Sequence, residues 1–378
     1  MDTQKSNLLE SVEPHILAVS IINLDNVAKN YERIKKEVTT NVHVTAVVKA
    51  DSYGFGAIPI SKRLYKEGCR FFFVATIEEG RRLRQGLAAA DAQIFVLGGL
   101  LSNTEDMLVE YGLIPVLNNS YQSDLWINHA KKLNKKLKAV IHIDTGIFRN
   151  GYSYRDIGDN FLDSHSSLDV VFVMSHLACA DTPNHPLNRL QLERFKDVLK
   201  SFPNANGCLS ATNGIFLGEE YFFGAVRPGK ALYGFSVRED KIGSMVPVMD
   251  LFSRIVHINH LRAGDTIGYG ATFTADRDMT TVTLGIGYAD GFMRKFEGFG
   301  CGFLGGNVIK AVGRISMDYI VFDATKVEKK YLKIGDWVAL TNDTDYTLER
   351  WALELNTLPH EVACRFGSRV KRIYVGEA

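Results

Sequence analysis

The alternation of apolar and polar positions changes its period repeatedly between residues 24 and 227. Apolar runs that suit interior parallel strands recur along this stretch, and helical periodicity fills most of the intervals between them. The predicted strands lie at 42–49, 70–75, 92–97, 113–117, 137–143, 168–174, 206–211 and 225–227. The clearest helices are predicted at 24–38, 120–134 and 186–202, where apolar side chains share one stripe.

Eight repeats of a strand followed by a helix are typical of an α/β fold of the (β/α)8 TIM-barrel type. A doubly wound parallel sheet is the structural alternative. In a barrel the active site lies at the C-terminal ends of the strands, where loops from separate strands converge. Polar residues that follow the predicted strands are therefore the first candidates for chemistry.

The pattern changes again after residues 236–247, a charged and glycine-containing stretch. Short runs rich in valine and isoleucine follow, punctuated by turn signals and interrupted by one predicted helix at 347–355. This pattern predicts a mostly β C-terminal domain. The predicted division is an N-terminal extension at 1–11, a barrel at 12–244 and a β domain at 245–378.

Composition narrows the class of partner. The 44 basic and 43 acidic side chains nearly cancel, which argues against nucleic acid or an anionic membrane and favours a small molecule. The five cysteines are widely spaced and odd in number, which predicts neither a disulfide framework nor a zinc site. No run approaches the length of a membrane span and no export signal is evident, so we expect a cytoplasmic protein without a metal.

Several polar residues follow the predicted strands and would meet at one face of a barrel. A lysine at the end of an interior strand costs desolvation energy unless chemistry uses it, and such an amine is a nucleophile for aldehydes. Taken singly, each of these residues is more often structural, but their shared location favours function. The candidates are Lys49, Arg149, His176, Thr212, Asn213 and Arg227.

The ends of predicted strands seven and eight could hold a phosphate group. The stretches "TNG" at 212–214 and "RPGK" at 227–230 offer backbone N–H groups, a small hydroxyl donor and a close approach at Gly229. Barrels often bind phosphate after these two strands. A strand-end lysine opposite such a cradle predicts pyridoxal 5'-phosphate, held through both its aldehyde and its phosphate.

Seven motifs, in order and over nearly the whole chain, resemble those of the alanine racemase family. They are "AVVKADSYGFGA", "HIDTGIFRNG", "SHLACAD", "VRPGKALYG", "IGYGATF", "GIGYADGFMRKF" and "VGRISMDYIVFD". The resemblance implies a barrel-type pyridoxal phosphate enzyme that racemises alanine and supplies D-alanine for peptidoglycan. It also implies a head-to-tail homodimer, in which the second domain of one subunit completes the active site on the other's barrel.

The resemblance also implies residue roles. Lys49 is expected to bind the cofactor and to serve as one catalytic base, with Tyr269 of the partner subunit as the other. Arg227 is similar to the arginine that faces the pyridine nitrogen, and His176 to its hydrogen-bonded neighbour. Because arginine cannot accept the ring proton, this residue favours racemisation over transamination and over decarboxylases of similar fold.

Two further groups of residues follow from the resemblance. Phosphate contacts are expected from the segments after strands one, seven and eight, namely Tyr53, Thr212, Asn213, Gly229 and Lys230. Substrate contacts are expected from Arg149, Tyr288, Met317 and Asp318.

The sequence departs from the usual family pattern at four places. His142 stands where many relatives have a lysine, often carbamylated, that orients the arginine corresponding to Arg149, so no carbamate is expected. The pair at 212–213 replaces a commoner serine-containing phosphate contact. Ser368 and Ser316 replace a frequent tyrosine and a frequent cysteine.

Alternatives to an alanine racemase remain open at this level. A serine racemase or a racemase of broad specificity is the nearest one, and an amino-acid decarboxylase of similar fold is more distant. A non-catalytic pyridoxal phosphate-binding protein would share a lysine and a phosphate cradle. It would, however, end after one barrel and provide no counterpart of Tyr269.

Overall fold

The structure is a computed structural model that describes residues 3–158, 161–236, 244–342 and 344–377. Contacts divide the chain into two units, one within residues 24–246 and one formed by residues up to 23 together with those of 247–376. Most of the predicted linker at 236–247 lies outside the described residues. No helix of the described ranges has the length and apolar character needed to cross a membrane.

The helices confirm the four that were predicted, each to within two residues. In chain order the helices are α1 (Thr3–Glu10), α2 (Leu24–Glu37), α3 (Lys49–Tyr53, a left-handed turn), α4 (Ala57–Lys66), α5 (Ile77–Leu87), α6 (Glu105–Glu110), α7 (Ser120–Leu133), α8 (Phe161–Ser164), α9 (Pro186–Lys200), α10 (Thr212–Ile215), α11 (Leu348–Leu355) and α12 (Pro359–Ala363). Local chemistry explains their starts. Asn119 caps α7 by accepting from Gln122 N–H, and Pro186 opens α9.

Most strands alternate with helices up to residue 226, and the later strands follow one another until α11 and α12 precede β20. They are β1 (Ala18–Asn23), β2 (His43–Val44), β3 (Ala46–Val47), β4 (Phe71–Val74), β5 (Gln93–Val96), β6 (Leu113–Leu117), β7 (Leu137–Asp144), β8 (Tyr152–Ser153), β9 (Leu168–Met174), β10 (Asn206–Cys208), β11 (Ala225–Val226), β12 (Met249–Leu261), β13 (Thr266–Ile267), β14 (Phe273–Thr274), β15 (Met279–Leu284), β16 (Cys301–Leu304), β17 (Asn307–Ala311), β18 (Ile320–Asp323), β19 (Trp337–Ala339) and β20 (Val370–Val375).

The first unit is a closed barrel of parallel strands. Its hydrogen-bonded order is β3–β4–β5–β6–β7–β9–β10, and β11 pairs in parallel with β2, which precedes β3 directly along the chain. A bridge between Ala211 and Arg227 joins the ends of strands β10 and β11. The circle is therefore complete, which confirms the predicted TIM barrel and excludes a doubly wound sheet.

Aromatic side chains fill the barrel interior. Phe73 and Phe95 stack with ring centroids 4.7 Å apart, and Phe172 lies 5.7 Å from Phe95. All three are at most 1% exposed. Burying each such side chain contributes about 2 kcal/mol. This packed interior makes the barrel a rigid support for the loops at its ends.

The second unit is mostly β, as predicted. Its main sheet has the order β15–β18–β17–β16–β19–β12–β1–β20, and β15 also pairs with β12. Strand β1 was not predicted. It pairs antiparallel with β12 and parallel with β20, although the predicted division assigned residues 12–23 to the barrel. An apolar run such as "AVSIIN" suits a buried strand in either sheet, so its pattern does not identify its partner.

Candidate active site

All parallel strands of the barrel end on the same side of the unit, because they run in one direction. The predicted barrel residues lie just beyond the strand ends on that side: Lys49 after β3, Arg149 after β7, His176 after β9, Thr212 and Asn213 after β10, and Arg227, Gly229 and Lys230 after β11. The charges of Arg227, Arg149 and Lys49 all act on His176. The fold therefore gathers these side chains at one end of the barrel.

Lys49 begins a left-handed turn. The four residues that follow it, 50–53, have φ between 52° and 57°. None is glycine, so each costs about 1 kcal/mol relative to right-handed backbone. Hydrogen bonds offset part of this cost, and one of them runs from Ser52 N–H to Val48 O at 2.9 Å. The predicted strand at 42–49 thus ends before Lys49, which lies half-buried.

Tyr53 ends this turn and contacts the segment after β11. Its ring lies beside that of Tyr233, with centroids 4.8 Å apart, and the Tyr233 hydroxyl donates to Val47 O at 2.7 Å. A Cβ at Gly229 would lie 2.6 Å from the Tyr53 phenol oxygen. Only glycine permits this approach. The first and last strands of the barrel therefore meet where Tyr53 contacts Gly229.

Arg227 is almost fully buried, with 4% of its surface exposed. Its Nη1 donates to Cys208 O and its Nη2 to Ser175 O, both at 2.6 Å. Nη2 also lies 3.4 Å from His176 Nδ1. A guanidinium only donates hydrogen bonds, so Nδ1 accepts and the proton of the neutral imidazole lies on Nε2.

The environment of His176 keeps this imidazole neutral at neutral pH. Burial, followed by the positive charge of Arg227, lowers the pKa of His176 to about 3. Gln191, a fully buried residue of α9, fixes the adjoining backbone. Its Nε2 donates to His176 O at 2.9 Å, and its Oε1 accepts from Ala178 N–H at 2.8 Å. His176 is therefore held as a neutral partner of Arg227.

His142 lies within β7 and is 6% exposed. Its Nδ1 is 2.7 Å from Asn118 Oδ1. Asn118 Nδ2 donates to Val116 O at 2.9 Å and to Leu97 O at 3.1 Å, so Oδ1 is the acceptor and His142 Nδ1 carries the hydrogen. Burial, with a smaller effect of Arg227, lowers the pKa of His142 to about 4. The neutral ring leaves a buried acceptor, Nε2, without a partner among the described residues.

The four-residue helix α10 contributes a small polar group of atoms. Its first internal hydrogen bond runs from Ile215 N–H to Ala211 O at 3.2 Å, so the N–H groups ahead of it have no acceptor within the helix. Thr212 Oγ1 accepts from Gly229 N–H at 3.0 Å and keeps its own hydrogen to donate. Asn213 Oδ1 is buried without a partner in the described ranges. The start of α10 and Gly229 therefore bring together polar groups that could bind an anion.

Arg149 lies in an exposed loop after β7. Asp144 shapes the start of this loop, because its Oδ1 accepts from Gly146 N–H at 2.8 Å and from Ile147 N–H at 2.9 Å. The Arg149 guanidinium makes no hydrogen bond or ion pair with the residues that the structure describes, His142 included. Its donors therefore remain available for an anion.

The other predicted residues lie in the second unit, where Tyr269, Tyr288 and Met317 are exposed and Asp318 is half-buried. Tyr269 begins a 3₁₀ turn between β13 and β14, and 74% of its surface is exposed. Tyr288 and Met317 are 44% and 52% exposed. Tyr288 N–H donates to Ser316 O at 3.2 Å, and a Cβ at Gly287 would lie 2.3 Å from Met317 O. Close backbone packing thus places Tyr288 and Met317 side by side.

Arg369, which was not predicted, links Asp318 to the segment that carries Tyr288. Arg369 Nη1 donates to Asp318 Oδ1 at 2.8 Å. Its Nε and Nη2 bind the two oxygens of Asp290 at 2.6 and 2.9 Å. Asp290 Oδ2 also accepts from Gly287 N–H at 2.8 Å. One ion-pair network therefore fixes the segments that carry Tyr288 and Asp318.

Other missed residues occupy the third position of helices that follow barrel strands. Gln122 of α7 and Glu79 of α5 reach back from that position to the preceding loop, where Gln122 Oε1 accepts from Asn118 N–H at 2.8 Å. A detectable signal was present, because "TIEE" and "NSYQ" place a capping residue three positions before each acceptor. In both cases the side chain orders the loop at the end of a barrel strand.

Comparisons with protein families give one consistent result over both units. The model described as alanine racemase, N-terminal domain, matches residues 22–237, and the model described as alanine racemase, C-terminal domain, matches residues 248–374. The chain is 39% identical to the alanine racemase of Rickettsia akari (strain Hartford) over 94% of this chain and 98% of that protein. It is 36% identical to the alanine racemase of Rhodospirillum rubrum, over 96% and 97% of the two chains.

Solved structures agree with these relatives. The crystal structure of alanine racemase from Bartonella henselae with covalently bound pyridoxal phosphate matches with a TM-score of 0.89 and 34% identity, over 95% of this chain and 99% of that one. Alanine racemase from Streptomyces lavendulae, a D-cycloserine producer, matches with a TM-score of 0.89 at 26% identity, over 97% and 99% of the chains. The likeness therefore covers nearly the whole chain in sequence and in structure.

Proposed function

The chain belongs to the alanine racemase family, and on that premise we propose that it interconverts L- and D-alanine with pyridoxal 5'-phosphate as its cofactor. The observation that carries the proposal is the position of Lys49. The lysine follows the first barrel strand, on the side where Arg227 is buried and Tyr53 contacts Gly229. A nucleophilic amine, a phosphate cradle and a buried cation at one barrel end fit this cofactor.

The atoms near Lys49 fit the phosphate of that cofactor. The hydroxyls of Tyr53 and Thr212 both lie against Gly229, and the N–H groups at the start of α10 lack acceptors within their helix. Asn213 can present its NH₂ group to an anion by a half-turn of its last torsion, which would give its buried amide a partner. In this proposal Lys49 holds the aldehyde, and the phosphate is bound by Tyr53, Thr212, Asn213, Gly229 and Lys230.

When bound, pyridoxal phosphate withdraws electrons from Cα of an attached amino acid and acidifies the α-proton. Arg227 faces the ring nitrogen in this proposal. Because its guanidinium stays charged and only donates, it leaves that nitrogen without a proton. His176 supports it as a neutral neighbour, with Nδ1 accepting from Arg227. An unprotonated ring nitrogen makes the cofactor a weaker electron sink and limits side reactions such as transamination, so the arginine supports racemisation.

Racemisation needs one base on each face of Cα. We assign Lys49 to one face and Tyr269 of the partner subunit to the other, within a homodimer that has shared active sites. The exposure of Tyr269 supports this assignment, because 74% of its surface points away from its own chain.

Substrate recognition is assigned to residues of both units. Arg149 offers an unpaired guanidinium for the carboxylate of alanine, the strongest available type of contact for that group. Tyr288, Met317 and Asp318 would limit the space for the side chain of the amino acid. Close packing at Gly287 and the ion pairs of Arg369 support a rigid wall, which suits a small substrate.

The proposed setting is the bacterial cytoplasm, where D-alanine is made for peptidoglycan. All five cysteines are free thiols, which is consistent with a reducing compartment. The proposed functional division has a cofactor-binding barrel within 12–244 and a β domain at 245–378, with residues 1–11 as an extension. Residues up to 23, which include β1, group with the β unit in the structure.

Incubation with L-alanine in deuterated water tests the proposal. The wild type is expected to form D-alanine with deuterium at Cα, whereas Lys49→Ala and Tyr269→Phe should each lose at least about 10²-fold in rate. Lys62→Ala, on the exposed face of α4, is the matched control and should behave as the wild type. Undiminished formation of D-alanine in either variant would contradict the two-base assignment, and faster turnover of serine than of alanine would contradict the proposed substrate.

A further inference from the structure

Glu79 joins the ends of two neighbouring barrel strands. Its Oε1 accepts from Ala50 N–H at 2.9 Å, and its Oε2 accepts from Ala75 N–H at 2.7 Å. Ala50 follows Lys49 directly, and Ala75 follows the last residue of β4. One half-buried carboxylate therefore binds the backbone just beyond the ends of β3 and β4, the first two strands of the barrel.

The bond to Ala50 acts on the peptide group of Lys49 itself. The N–H of Ala50 and the carbonyl of Lys49 belong to one rigid plane, because the peptide bond does not rotate freely. Within the left-handed turn, Ser52 N–H and Gly54 N–H donate to Val48 O and Ala50 O, both at 2.9 Å, whereas Ala50 N–H donates to Glu79. Glu79 thus supplies a side-chain restraint at the point where the backbone changes from strand to left-handed turn.

The left-handed turn that Glu79 restrains has an energetic cost. Four consecutive non-glycine residues in left-handed conformation would be more stable right-handed by about 1 kcal/mol each. Relaxation of this turn would rotate the backbone that carries Lys49. A hydrogen bond to an ionised carboxylate contributes about 1.5–3 kcal/mol, so Glu79 offsets a large part of this cost.

The start of α5 has a second stabilising group besides the Glu79 carboxylate. Thr76 Oγ1 already accepts from Glu79 N–H at 3.2 Å, as an N-cap of α5 should. The preceding residue, Glu78, has the same charge in the same turn, but it binds only along the helix surface. Its carboxylate accepts from Arg81 at 2.8 Å and from Arg82 at 2.7 Å. Glu78 is therefore a matched control for Glu79.

We propose that Glu79 is a positioning residue for Lys49, acting by holding the Lys49–Ala50 peptide group against the end of β4. The proposal rests on the function proposed above, because Lys49 has to be aligned with the cofactor aldehyde and with one face of Cα. Glu79 touches neither. It acts through the backbone of the lysine.

Two substitutions of Glu79 weaken the restraint to different degrees, and one substitution of Glu78 is the control. Glu79→Gln keeps one acceptor and turns an NH₂ group toward a backbone N–H, while Glu79→Asp keeps the charge but is too short to span both N–H groups. We expect kcat to fall by about 10²-fold in Glu79→Gln and less in Glu79→Asp, since a shift of about 1 Å costs that much. Glu78→Gln should retain wild-type rates.

Hydrogen exchange provides a readout that needs no catalysis. In apoprotein and in protein loaded with pyridoxal phosphate, the Ala50 amide should exchange at least about tenfold faster in Glu79→Gln than in the wild type. Glu78→Gln should leave this exchange unchanged. Equal protection of Ala50 in the wild type and Glu79→Gln would overturn the proposal, whatever the rates of turnover.

Isotope effects separate positioning of Lys49 from general damage. Each base removes the α-proton of one enantiomer, so a misplaced Lys49 should raise the primary deuterium isotope effect for one alanine enantiomer only. An equal rise for both enantiomers in Glu79→Gln would overturn the proposal. A wild type that racemises no amino acid would instead refute the proposed function, and the exchange of Ala50 would still test the backbone restraint.

Discussion

Side chains at the end of the barrel and side chains on the exposed segments of the β unit are positioned in opposite ways. Arg227 is 4% exposed and donates to the carbonyls of neighbouring strands, whereas Tyr269 is 74% exposed on a short turn. The barrel residues are preorganised by contacts within their own chain. The exposed residues are aimed outward and, in our proposal, receive their chemical surroundings from a second copy. One chain would thus contain two halves of different active sites.

The largest expected effect comes from combining two inactive variants. If the sites are shared, a mixed dimer of Lys49→Ala and Tyr269→Phe subunits has one site with both bases intact. Random mixing should therefore restore about a quarter of wild-type activity, from a background lower by at least about 10²-fold. The measurement is D-alanine formation after the two proteins are unfolded and refolded together.

The matched control for this experiment mixes Lys49→Ala with wild-type subunits that are labelled for separation. It shows whether subunits exchange at all. Failure to regain activity although mixed dimers have formed would mean that both bases come from one chain, and the contrast between inward and outward residues would lose its functional meaning.

Arg227→Met tests the preorganised side of the comparison. Removing the guanidinium takes its donors from the buried carbonyls of Cys208 and Ser175, although Cys208 O still accepts from Ser175 N–H at 3.1 Å. We therefore expect the free energy of unfolding to fall by about 2 kcal/mol. Arg189→Met, which removes an exposed ion pair with Glu193, should cost less than about 1 kcal/mol. Urea unfolding measures both. Equal losses would mean that the buried network adds nothing to stability.

The lowered pKa of His142 predicts that acid destabilises the barrel. Its folded pKa is about 4, below the ordinary histidine value of 6.5, so between these values the unfolded chain binds one more proton than the folded chain. Stability therefore falls as the pH falls through this window, by about 1.4 kcal/mol per pH unit from this residue.

His142→Asn removes this proton and should flatten the pH dependence by that slope in urea unfolding between pH 4.5 and 6.5. The exposed His257→Asn is the control. Parallel curves for the wild type and His142→Asn would show that His142 does not contribute to acid sensitivity.

The smallest expected effect is that of Tyr269→Phe on the stability of the protein. Tyr269→Phe removes a hydroxyl from an exposed ring and should change the free energy of unfolding by less than about 0.5 kcal/mol. Tyr233→Phe removes a buried hydroxyl that donates to Val47 O and should cost about 1 kcal/mol. Thermal denaturation of the two variants compares them. A larger loss for Tyr269→Phe would show that its turn is part of the folded core.

The sequence was sufficient for the barrel because its strands are apolar and mostly buried. Runs such as 113–117 and 168–174 contain few polar interruptions, and their spacing by helices leaves little choice of topology. Strand β1 was harder to place. Its partners, β12 and β20, lie far along the chain, and no local pattern contains that information.

The site was predictable where a residue type is tied to a strand end, as with Lys49 and Arg227. It was not predictable where backbone conformation matters, because the left-handed turn at 50–53 contains no glycine. Tertiary contacts impose this turn against local propensity. The tautomer of His142 likewise follows from Asn118, whose own amide is oriented by carbonyls of two other strand ends.

The pairing of β1 with β12 and β20 has a consequence for synthesis on the ribosome. Ala18 leaves the ribosome early, yet its partners Ser253 and Val370 follow only after the whole barrel has been made. The barrel can close once Val226 has emerged, because β11 then pairs with β2. Until the late strands arrive, β1 is an apolar nascent segment with unpaired edges, which is the kind of segment that chaperones bind.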